Sequence, residues 1–218
     1  MGDLLHCFDD VFVLTPDAQS EILGAKYIPI GTYPPVKIPL LPKVDPPIVA
    51  SFGFIHEKKG YFYIVEATKR LGLPWRIVGK LKQEFKERVD VWEQNIKSQS
   101  HIQHYDGFFS DIEVFRLLSE ASVLVFYYED NDDYLYQSAA VLKAARCQRP
   151  IICSTATPLK ELQGCVHYVP YADVEALTTG INLLVECPEY GQALVKAMNN
   201  YLVSNQWEII GKKIINAQ

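Results

Sequence analysis

The segment QSAAVLKAARCQRPIICST, residues 137–155, decides the fold, because it combines a helix, a tight turn and a buried strand. Its last part, PIICST, has the length and the β-branched content of a strand buried on both faces. Similar apolar runs recur at 11–15, 27–30, 48–53, 75–79 and 123–128, with helical patterns between them. Strands that alternate with helices at this pace form βαβ units. The sequence therefore predicts an α/β protein with a doubly wound parallel sheet.

Helix signals support this reading. The segment YFYIVEATKRLG, at 61–72, has one apolar stripe and is closed by Gly72. The segment at 110–122 opens with Ser110 three residues before Glu113, which is the pattern of a capping box. Three further helices are predicted at about 173–187, 188–204 and 206–216, with no strand among them. Helices thus finish the chain.

The distribution of proline divides the 218 residues into three parts. Residues 32–47, TYPPVKIPLLPKVDPP, hold six prolines and predict a stiff connector without regular structure. Residues 1–31 form a short lead-in with a strand, a helix and a second strand. Residues 48–218 form the main domain.

Charge and composition exclude several classes of function. The net charge of -5 offers no basic face for nucleic acid or for an anionic membrane. No run reaches the roughly 18 apolar residues of a membrane span, and MGDLLHCFDD does not have the pattern of a secretory signal. The five cysteines include no C-x-x-C pair, so neither a disulfide framework nor a metal site is indicated. We expect a soluble, cytoplasmic protein.

Three predicted strand exits carry polar or small residues. Ligands of open parallel sheets bind beyond the carboxyl ends of the strands, where helix N-termini attract anions. The exit SFGFIHEKKG offers glycine and lysine, VFYYEDNDDYLYQSAAVLK offers a helix start that Ser138 is expected to cap, and IICSTATPLKEL offers hydroxyl groups. Together they predict an anionic ligand such as a nucleotide diphosphate.

The same segments carry a family resemblance. FGFIHEKKG (52–60), LKAARCQRPIICSTATPLKEL (142–162) and NQWEIIGKKI (205–214) resemble, in order, the motifs of GT-B glycosyltransferases of the GT4 type (glycosyl transferases group 1). VFVLTPDAQSEI followed by YIPIGTYP is similar to the entry into their carboxy-terminal half. The resemblance implies a single Rossmann-like, donor-binding half with C-terminal helices. Its implied activity is transfer of a hexosyl group from a UDP- or GDP-sugar to a glycan, lipid or small acceptor.

The resemblance also assigns roles by position. Lys59 matches the family's lysine that contacts the donor diphosphate, whereas Phe54 replaces its arginine. The family's two glutamates, for the sugar and for the ribose hydroxyls, fall on Leu135 and Lys143. Thr155 to Thr157 stand in place of a glycine pair.

Lys143 cannot act as that glutamate does, because an ammonium group has donors only. If it faces the cleft, it pairs with a phosphate or with an acidic residue of the preceding loop, which are Glu129, Asp130, Asp132 and Asp133. Realigning that loop with an insertion lets Glu129 serve as the carboxylate that binds the sugar.

The candidate site has three groups of residues. Lys59 is the cationic group expected to act in catalysis by stabilising the leaving diphosphate. The expected contacts of the donor and its phosphates are Gly53, Phe54, Lys58, Gln137, Ser138, Ala139, Lys143, Thr155 and Thr157, and the candidate sugar or base contacts are Gly79, Lys80, Tyr128, Glu129 and Glu161. We expect no metal and no cofactor, because lysine and a helix dipole take their place.

Partners follow from the resemblance. The acceptor site of such enzymes lies in an amino-terminal half, so we expect that half to be missing from this chain or to be a separate subunit, with self-association through the exposed face and membrane contact only through the partner. Two alternatives stay open. One is an inactive glycosyltransferase-like scaffold, favoured by Phe54, Leu135 and Lys143; the other is a GT-B epimerase, which shares the nucleotide site.

Overall fold

The computed structural model describes residues 10–37, 44–81, 93–130 and 137–216. Its centre is a six-stranded, all-parallel sheet with the order β5-β4-β3-β6-β7-β8. The strands are β3 (Val49–Phe52), β4 (Trp75–Val78), β5 (Ile102–Tyr105), β6 (Val123–Phe126), β7 (Ile151–Ser154) and β8 (His167–Val169). The predicted α/β fold with a doubly wound parallel sheet is confirmed. Strand β8, of three residues, is an addition to the predicted strands.

Helices cover both faces of the sheet. They are α2 (Tyr61–Leu71), α3 (Asp111–Ser119), α4 (Ala139–Ala145), α5 (Val174–Glu186), α6 (Pro188–Ser204) and α7 (Trp207–Ile215). Residues of β6 alternate between two buried clusters: Val123 and Val125 pack with α2 and α5, while Leu124 and Phe126 pack with α3 and α4. Strands covered on both faces explain the continuous apolar runs of the sequence. No helix in the described ranges is long and apolar enough to cross a membrane.

Local signals set the start of α3 and the end of α2 as predicted. The Ser110 hydroxyl accepts from the amide of Glu113, whose carboxylate accepts from the Ser110 amide, so the capping box is formed. Helix α3 ends at Ser119, three residues before the predicted end. Gly72 ends α2 with φ 65°, a left-handed conformation that favours glycine.

The lead-in folds as a small unit beside the main sheet. Strand β1 (Phe12–Val13), helix α1 (Pro16–Glu21) and strand β2 (Lys26–Tyr27) make a two-stranded parallel sheet of their own, with Phe12 opposite Lys26. Thr15 caps α1 by accepting from the Ala18 amide. The lead-in unit, residues 11–30, contacts the segment after β7, where Lys160 pairs with Asp17 at 3.1 Å.

The connector joins the lead-in unit to the last helix of the chain. The Thr32 amide donates to the Asn205 carbonyl at 2.8 Å, and the Trp207 amide donates to the Thr32 carbonyl at 3.2 Å. Arg146 and Gln148, which follow α4, donate to the carbonyls of Pro34 and Val36. The start of the connector is therefore fixed between α4 and α7.

Candidate functional site

The candidate site lies where the direction of winding of the sheet changes. From β3 the chain continues to β4 and β5 on one side, whereas β6 continues to β7 and β8 on the other. Adjacent strands that diverge in this way open a crevice at their carboxyl ends, which is where α/β sheets bind ligands. The loop after β3 contains Lys58 and Lys59, and the loop after β6 leads to α4.

The floor of this crevice is made of closely packed backbone. Gly53 and Gly79, directly after β3 and β4, have φ angles of 117° and 147°. A Cβ atom on Gly79 would lie 2.0 Å from the carbonyl oxygen of Gly53, and one on Gly53 would lie 3.2 Å from the Cβ of Ala140. Only hydrogen fits at Gly79, whereas a Cβ on Gly53 would press on Ala140 at a φ that favours glycine. The two glycines therefore let the exits of β3 and β4 pack closely, and their own amides donate to the carbonyls of Val78 and Tyr105.

The loops after β3 and β6 are joined by a hydrogen bond and a ring contact. The Glu129 amide donates to the Lys58 carbonyl at 2.9 Å. The Lys59 ammonium lies 3.4 Å from the ring centre of Tyr128, a cation–π contact, and the Tyr128 hydroxyl lies 3.0 Å from the hydroxyl of Ser138. Lys59 and the start of α4 are thus on the same side of the crevice, linked through one tyrosine.

Ser138 does not cap α4 with its side chain, contrary to the expectation from the sequence. Its hydroxyl contacts Tyr128, and its amide donates to the Pro158 carbonyl at 3.2 Å. The Tyr128 phenol, ten residues earlier, thus replaces the helix amide as the partner of the Ser138 hydroxyl. Tyr128 and Ser138 are both nearly inaccessible to solvent. Ala139 begins the helix and is exposed, and amides of a first helical turn have no partner within the helix.

Gln137 and Glu161 contact the lead-in unit. Gln137 is 6 % exposed; its carbonyl oxygen accepts from the Ile30 amide at 2.5 Å, and its amide donates to the Tyr201 hydroxyl at 3.3 Å. The Glu161 carboxylate accepts from the Tyr27 hydroxyl at 2.7 Å. These two side chains thus hold the lead-in unit against the carboxyl edge of β6 and β7.

Burial perturbs Glu161. It raises the pKa of this carboxyl from 4.5 to about 7, opposed by the hydrogen bond from Tyr27 and assisted by the negative charge of Asp17. Its Oε1 atom is buried and has no hydrogen-bond partner among the described atoms. Tyr27 in turn has a raised pKa, first through burial and then through its bond to Glu161. The junction between the lead-in unit and the sheet therefore favours a neutral carboxyl.

Lys143 pairs with Asp111, a residue outside the acidic loop that the sequence suggested. Its ammonium lies 2.6 Å from one Asp111 carboxylate oxygen, while Arg146 lies 3.9 Å from the other. The Lys143 ammonium is also 5.7 Å from the ring centre of Phe52, the last residue of β3. Asp111 is the first residue of α3. The strand order of the sheet makes it a neighbour of Lys143, and the spacing of the two residues along the sequence does not show this. Three residues of the sequence hypothesis, Asp132, Asp133 and Leu135, lie outside the described residues.

The third predicted exit is divided between exposed and buried groups. Thr155 is exposed at the end of β7, whereas the Ser154 hydroxyl donates to the Tyr128 carbonyl at 2.6 Å. Thr157 begins a 3₁₀ turn, Thr157–Leu162, and its side chain lies outside the described part of the structure. Among the side chains described at this exit, Thr155 thus offers an accessible hydroxyl.

Two further residues, which the sequence analysis does not single out, lie at the end of the crevice. Phe108 and Asp106 follow β5, whose exit is not among the three that the sequence predicts. The Phe108 ring is 5.8 Å from that of Phe54, and Lys80 lies 5.1 Å above it. The HYDG segment before Phe108 gave the signal, since a glycine after a strand marks an exit.

A separate cavity lies elsewhere. About 900 Å³ in volume, it opens at the amino-terminal edge of the sheet, between the residues before β6 and β7 and helices α5 and α6. Ser122, Pro150 and Lys196 are among its lining residues. The lining residues of this cavity include none of the predicted site residues that the structure describes.

Comparison with known proteins gives similarity in structure alone. No protein-family model matches the sequence, and no curated protein sequence matches it. Sucrose-phosphate synthase from Thermosynechococcus elongatus superposes with a TM-score of 0.77 at 19% identity, over 96% of this chain and 57% of that one. HepE from Anabaena, solved with UDP and glucose, gives a TM-score of 0.78 at 14% identity, over 99% and 65%. A glycosyltransferase from Rickettsia africae gives 0.74 at 14% identity, over 95% and 62%.

These neighbours share one architecture. They are GT-B glycosyltransferases, and this chain has the fold of one of their halves, with the Rossmann-like sheet predicted from the sequence. The chain spans between 57% and 65% of the length of the three structures.

Proposed function

We propose that this chain is the donor-binding half of a glycosyltransferase, which holds a UDP- or GDP-sugar while a hexosyl group passes to a glycan, lipid or small acceptor. The observation that carries the proposal is the contact of Lys59 with Tyr128 and of Tyr128 with Ser138, at the crevice between β3 and β6. It brings a cation, a glycine-lined floor and the start of a helix to one place. The structures of HepE with UDP and with UDP-glucose support a nucleotide sugar as the ligand.

The chemistry rests on charge at the leaving group. As the bond between the sugar and the diphosphate breaks, negative charge develops on the phosphate oxygens, and a fixed cation there lowers the barrier. Lys59 is the catalytic residue of the proposal, and Lys58 adds a second positive charge. Gly53 and Gly79 place no side chain over the strand exits where the diphosphate would lie, while their own amides donate to Val78 and Tyr105. The transfer proposed here includes no metal ion.

A carboxylate is available for the sugar hydroxyls. Glu129 is exposed, and the bond from its amide to Lys58 fixes its main chain beside the lysine loop. Its charge is felt by Tyr171, whose pKa is raised to about 12, chiefly by burial and next by Glu129. A carboxylate next to an aromatic ring suits a hexose. The carboxylate accepts hydrogen bonds from the sugar hydroxyls, and the ring packs against the apolar face of the sugar. Thr155 would add a hydroxyl from the other wall.

The acceptor would be bound by a second half, supplied by further chain or by a separate subunit. The described residues form one six-stranded sheet, beside the two-stranded sheet of the lead-in unit. In this proposal transfer occurs between the crevice of the larger sheet and the second half. Mixing the chain with a candidate second half should therefore be required for turnover but not for binding of the donor.

Calorimetric titration tests the proposal. UDP or GDP should bind, and Lys59→Ala should weaken binding by about 1 to 3 kcal/mol, the scale of a charge-assisted hydrogen bond. Lys196→Ala, which removes a lysine at the opposite edge of the sheet, is the matched control and should leave affinity unchanged. Failure of both nucleotides to bind at millimolar concentration would reject the proposal.

The second candidate is a glycosyltransferase-like module without activity, which serves as an interaction subunit. It is favoured by the internal engagement of three predicted donor contacts: Lys143 with Asp111, Gln137 with Ile30 and Glu161 with Tyr27. A folded chain that binds neither nucleotide would support this candidate.

A further inference from the structure

An exposed pair of aromatic rings stands at the far end of the crevice. Phe54 follows β3 and Phe108 follows β5, and their ring centres lie 5.8 Å apart with the planes at 82°. Phe108 is 75% exposed and Phe54 47%. Phenylalanine side chains are among those most often buried, so two rings exposed together at the ligand edge of a sheet point to a binding role.

A cation and a carboxylate flank these rings. The Lys80 ammonium lies 5.1 Å from the centre of the Phe108 ring. Asp106 is exposed, and one of its carboxylate oxygens accepts from the Leu81 amide at 3.4 Å. The bond fixes the carboxylate between the exits of β4 and β5. The rings thus have an acceptor group on one strand exit and a donor group on the next.

The rings adjoin the floor proposed for the diphosphate. Phe54 follows Gly53 directly, and Lys80 follows Gly79 directly, and these two glycines are in contact. The ribose of a nucleotide separates its base from its phosphates. A nucleotide whose phosphates lie over Gly53 therefore places its base over a neighbouring strand exit. The aromatic pair is therefore placed for the base.

We infer that this cluster is the base-binding part of the site and that it selects guanine, so that the donor is a GDP-sugar. The inference rests on the proposed function. The base stacks on Phe108. The two oxygens of Asp106 accept from the N1–H and the N2 amino group of guanine, and Lys80 donates to its O6.

Other bases fit this set of groups poorly. Uracil presents one N–H between two carbonyl oxygens, and both carbonyls would face the Asp106 carboxylate. Adenine presents an amino group beside a ring nitrogen that can only accept. The charge pattern of Asp106 and Lys80 therefore discriminates between bases, whereas the phenylalanine rings stack with any of them.

Titration of the full chain with GDP, UDP and ADP tests the inference. GDP should bind more tightly than UDP or ADP by about tenfold or more, the scale of one bidentate base contact. Asp106→Asn should remove most of that preference while leaving UDP affinity within about twofold, and Phe108→Ala should weaken GDP by about fivefold or more, as for a lost stacking ring. The controls are two exposed positions outside this cluster: Asp45→Asn, in the segment before β3, and Leu23→Ala, in the lead-in unit.

The outcomes separate this inference from the proposal beneath it. Binding of none of the three nucleotides would overturn the proposed function, and this inference with it. Binding of UDP as tightly as GDP, or a preference for GDP that survives Asp106→Asn, would overturn the inference alone. If nucleotide binding is unaffected by Phe108→Ala, the exposed rings serve another contact, such as a partner polypeptide, and the inference is again overturned.

Discussion

Lys143 and Asp111 form an ion pair of 2.6 Å between α4 and the first turn of α3, beside the carboxyl end of β3. The resemblance of the sequence to GT-B glycosyltransferases places a glutamate at the position of Lys143, and the sequence predicts a phosphate or an acidic residue of the preceding loop as the partner of this lysine. The positive charge of Lys143 is compensated instead by a carboxylate at the start of α3.

Breaking this ion pair should have a small, measurable effect on stability. The two side chains are 32% and 60% exposed, so solvent screens them, and we expect a coupling free energy of about 0.2 to 1 kcal/mol. Urea unfolding of Asp111→Asn, Lys143→Met and the double variant measures it. The favourable effect of Asp111 on the helix dipole is lost in both variants that lack it and cancels in the cycle. A coupling that persists unchanged at high salt would contradict this account.

The contact of Gly79 with Gly53 should make position 79 intolerant of alanine. The new Cβ would lie 2.0 Å from a backbone carbonyl, which cannot move without displacing the exits of β3 and β4. Gly72→Ala is the control, since Gly72 also has a positive φ but nothing within 4 Å of its Cβ position. Gly72→Ala should cost about 1 to 2 kcal/mol, which is the cost of placing alanine in a left-handed conformation.

Gly79→Ala should exceed that cost by about 1 to 3 kcal/mol or more, because overpacking adds to a φ of 147° that suits alanine less than the left-handed φ of Gly72. Urea unfolding of both variants measures the difference. Equal costs would show that the crevice floor is looser than the structure indicates.

The main sheet was predictable because its signals are local. The apolar runs at 48–53, 75–79, 123–128 and 150–155 and the capping box of Ser110 and Glu113 are each made of residues close in sequence, and each formed as expected. The run at 27–30 contributes only Tyr27 to a strand. The strand exits after β3 and β6 were also found from short segments.

The contacts that fix the site were not predictable in this way. Gln137 binds Ile30 across 107 residues, and Glu161 binds Tyr27 across 134. Such pairs depend on how the lead-in unit packs on the sheet. The periodicity of apolar residues in the sequence carries no information about that packing. Asp111 and Phe108 were missed for a related reason, because the order β5-β4-β3-β6 brings the exit of β5 towards the crevice. The sequence thus predicts which edge of the sheet carries the site, but not which side chains line the crevice.

Glu161 should make stability depend on pH. Its pKa is raised from 4.5 to about 7 in the folded protein, so the neutral carboxyl is favoured by folding. This contribution to the free energy of unfolding is complete below pH 4.5 and is lost as the pH rises to about 7. Glu161→Gln removes the titration.

The measurement is the difference in unfolding free energy between wild type and Glu161→Gln across that interval. The variant should gain on the wild type as the pH rises, whereas Glu189→Gln, at an exposed position on α6, should show no such trend. A difference that is constant with pH would mean that Glu161 is ionised in the folded protein throughout.

Gly31 and Trp207 should be energetically coupled. A Cβ on Gly31 would lie 2.2 Å from a ring carbon of Trp207, so the indole covers the main chain where the lead-in unit meets the connector. Gly31 has no left-handed φ, and the strain in Gly31→Ala therefore comes from the ring alone. We expect this variant to lose about 1 to 3 kcal/mol, as for overpacking of a filled site.

Removing the ring should remove that penalty. In the Trp207→Ala background, where the space over Gly31 is open, Gly31→Ala should cost much less than it does in the wild type, so the double variant is more stable than the sum of the single changes predicts. Urea unfolding of the four proteins gives the coupling. Strict additivity would mean that Trp207 does not rest on Gly31, and that α7 is held to the connector mainly by the backbone bonds of Thr32.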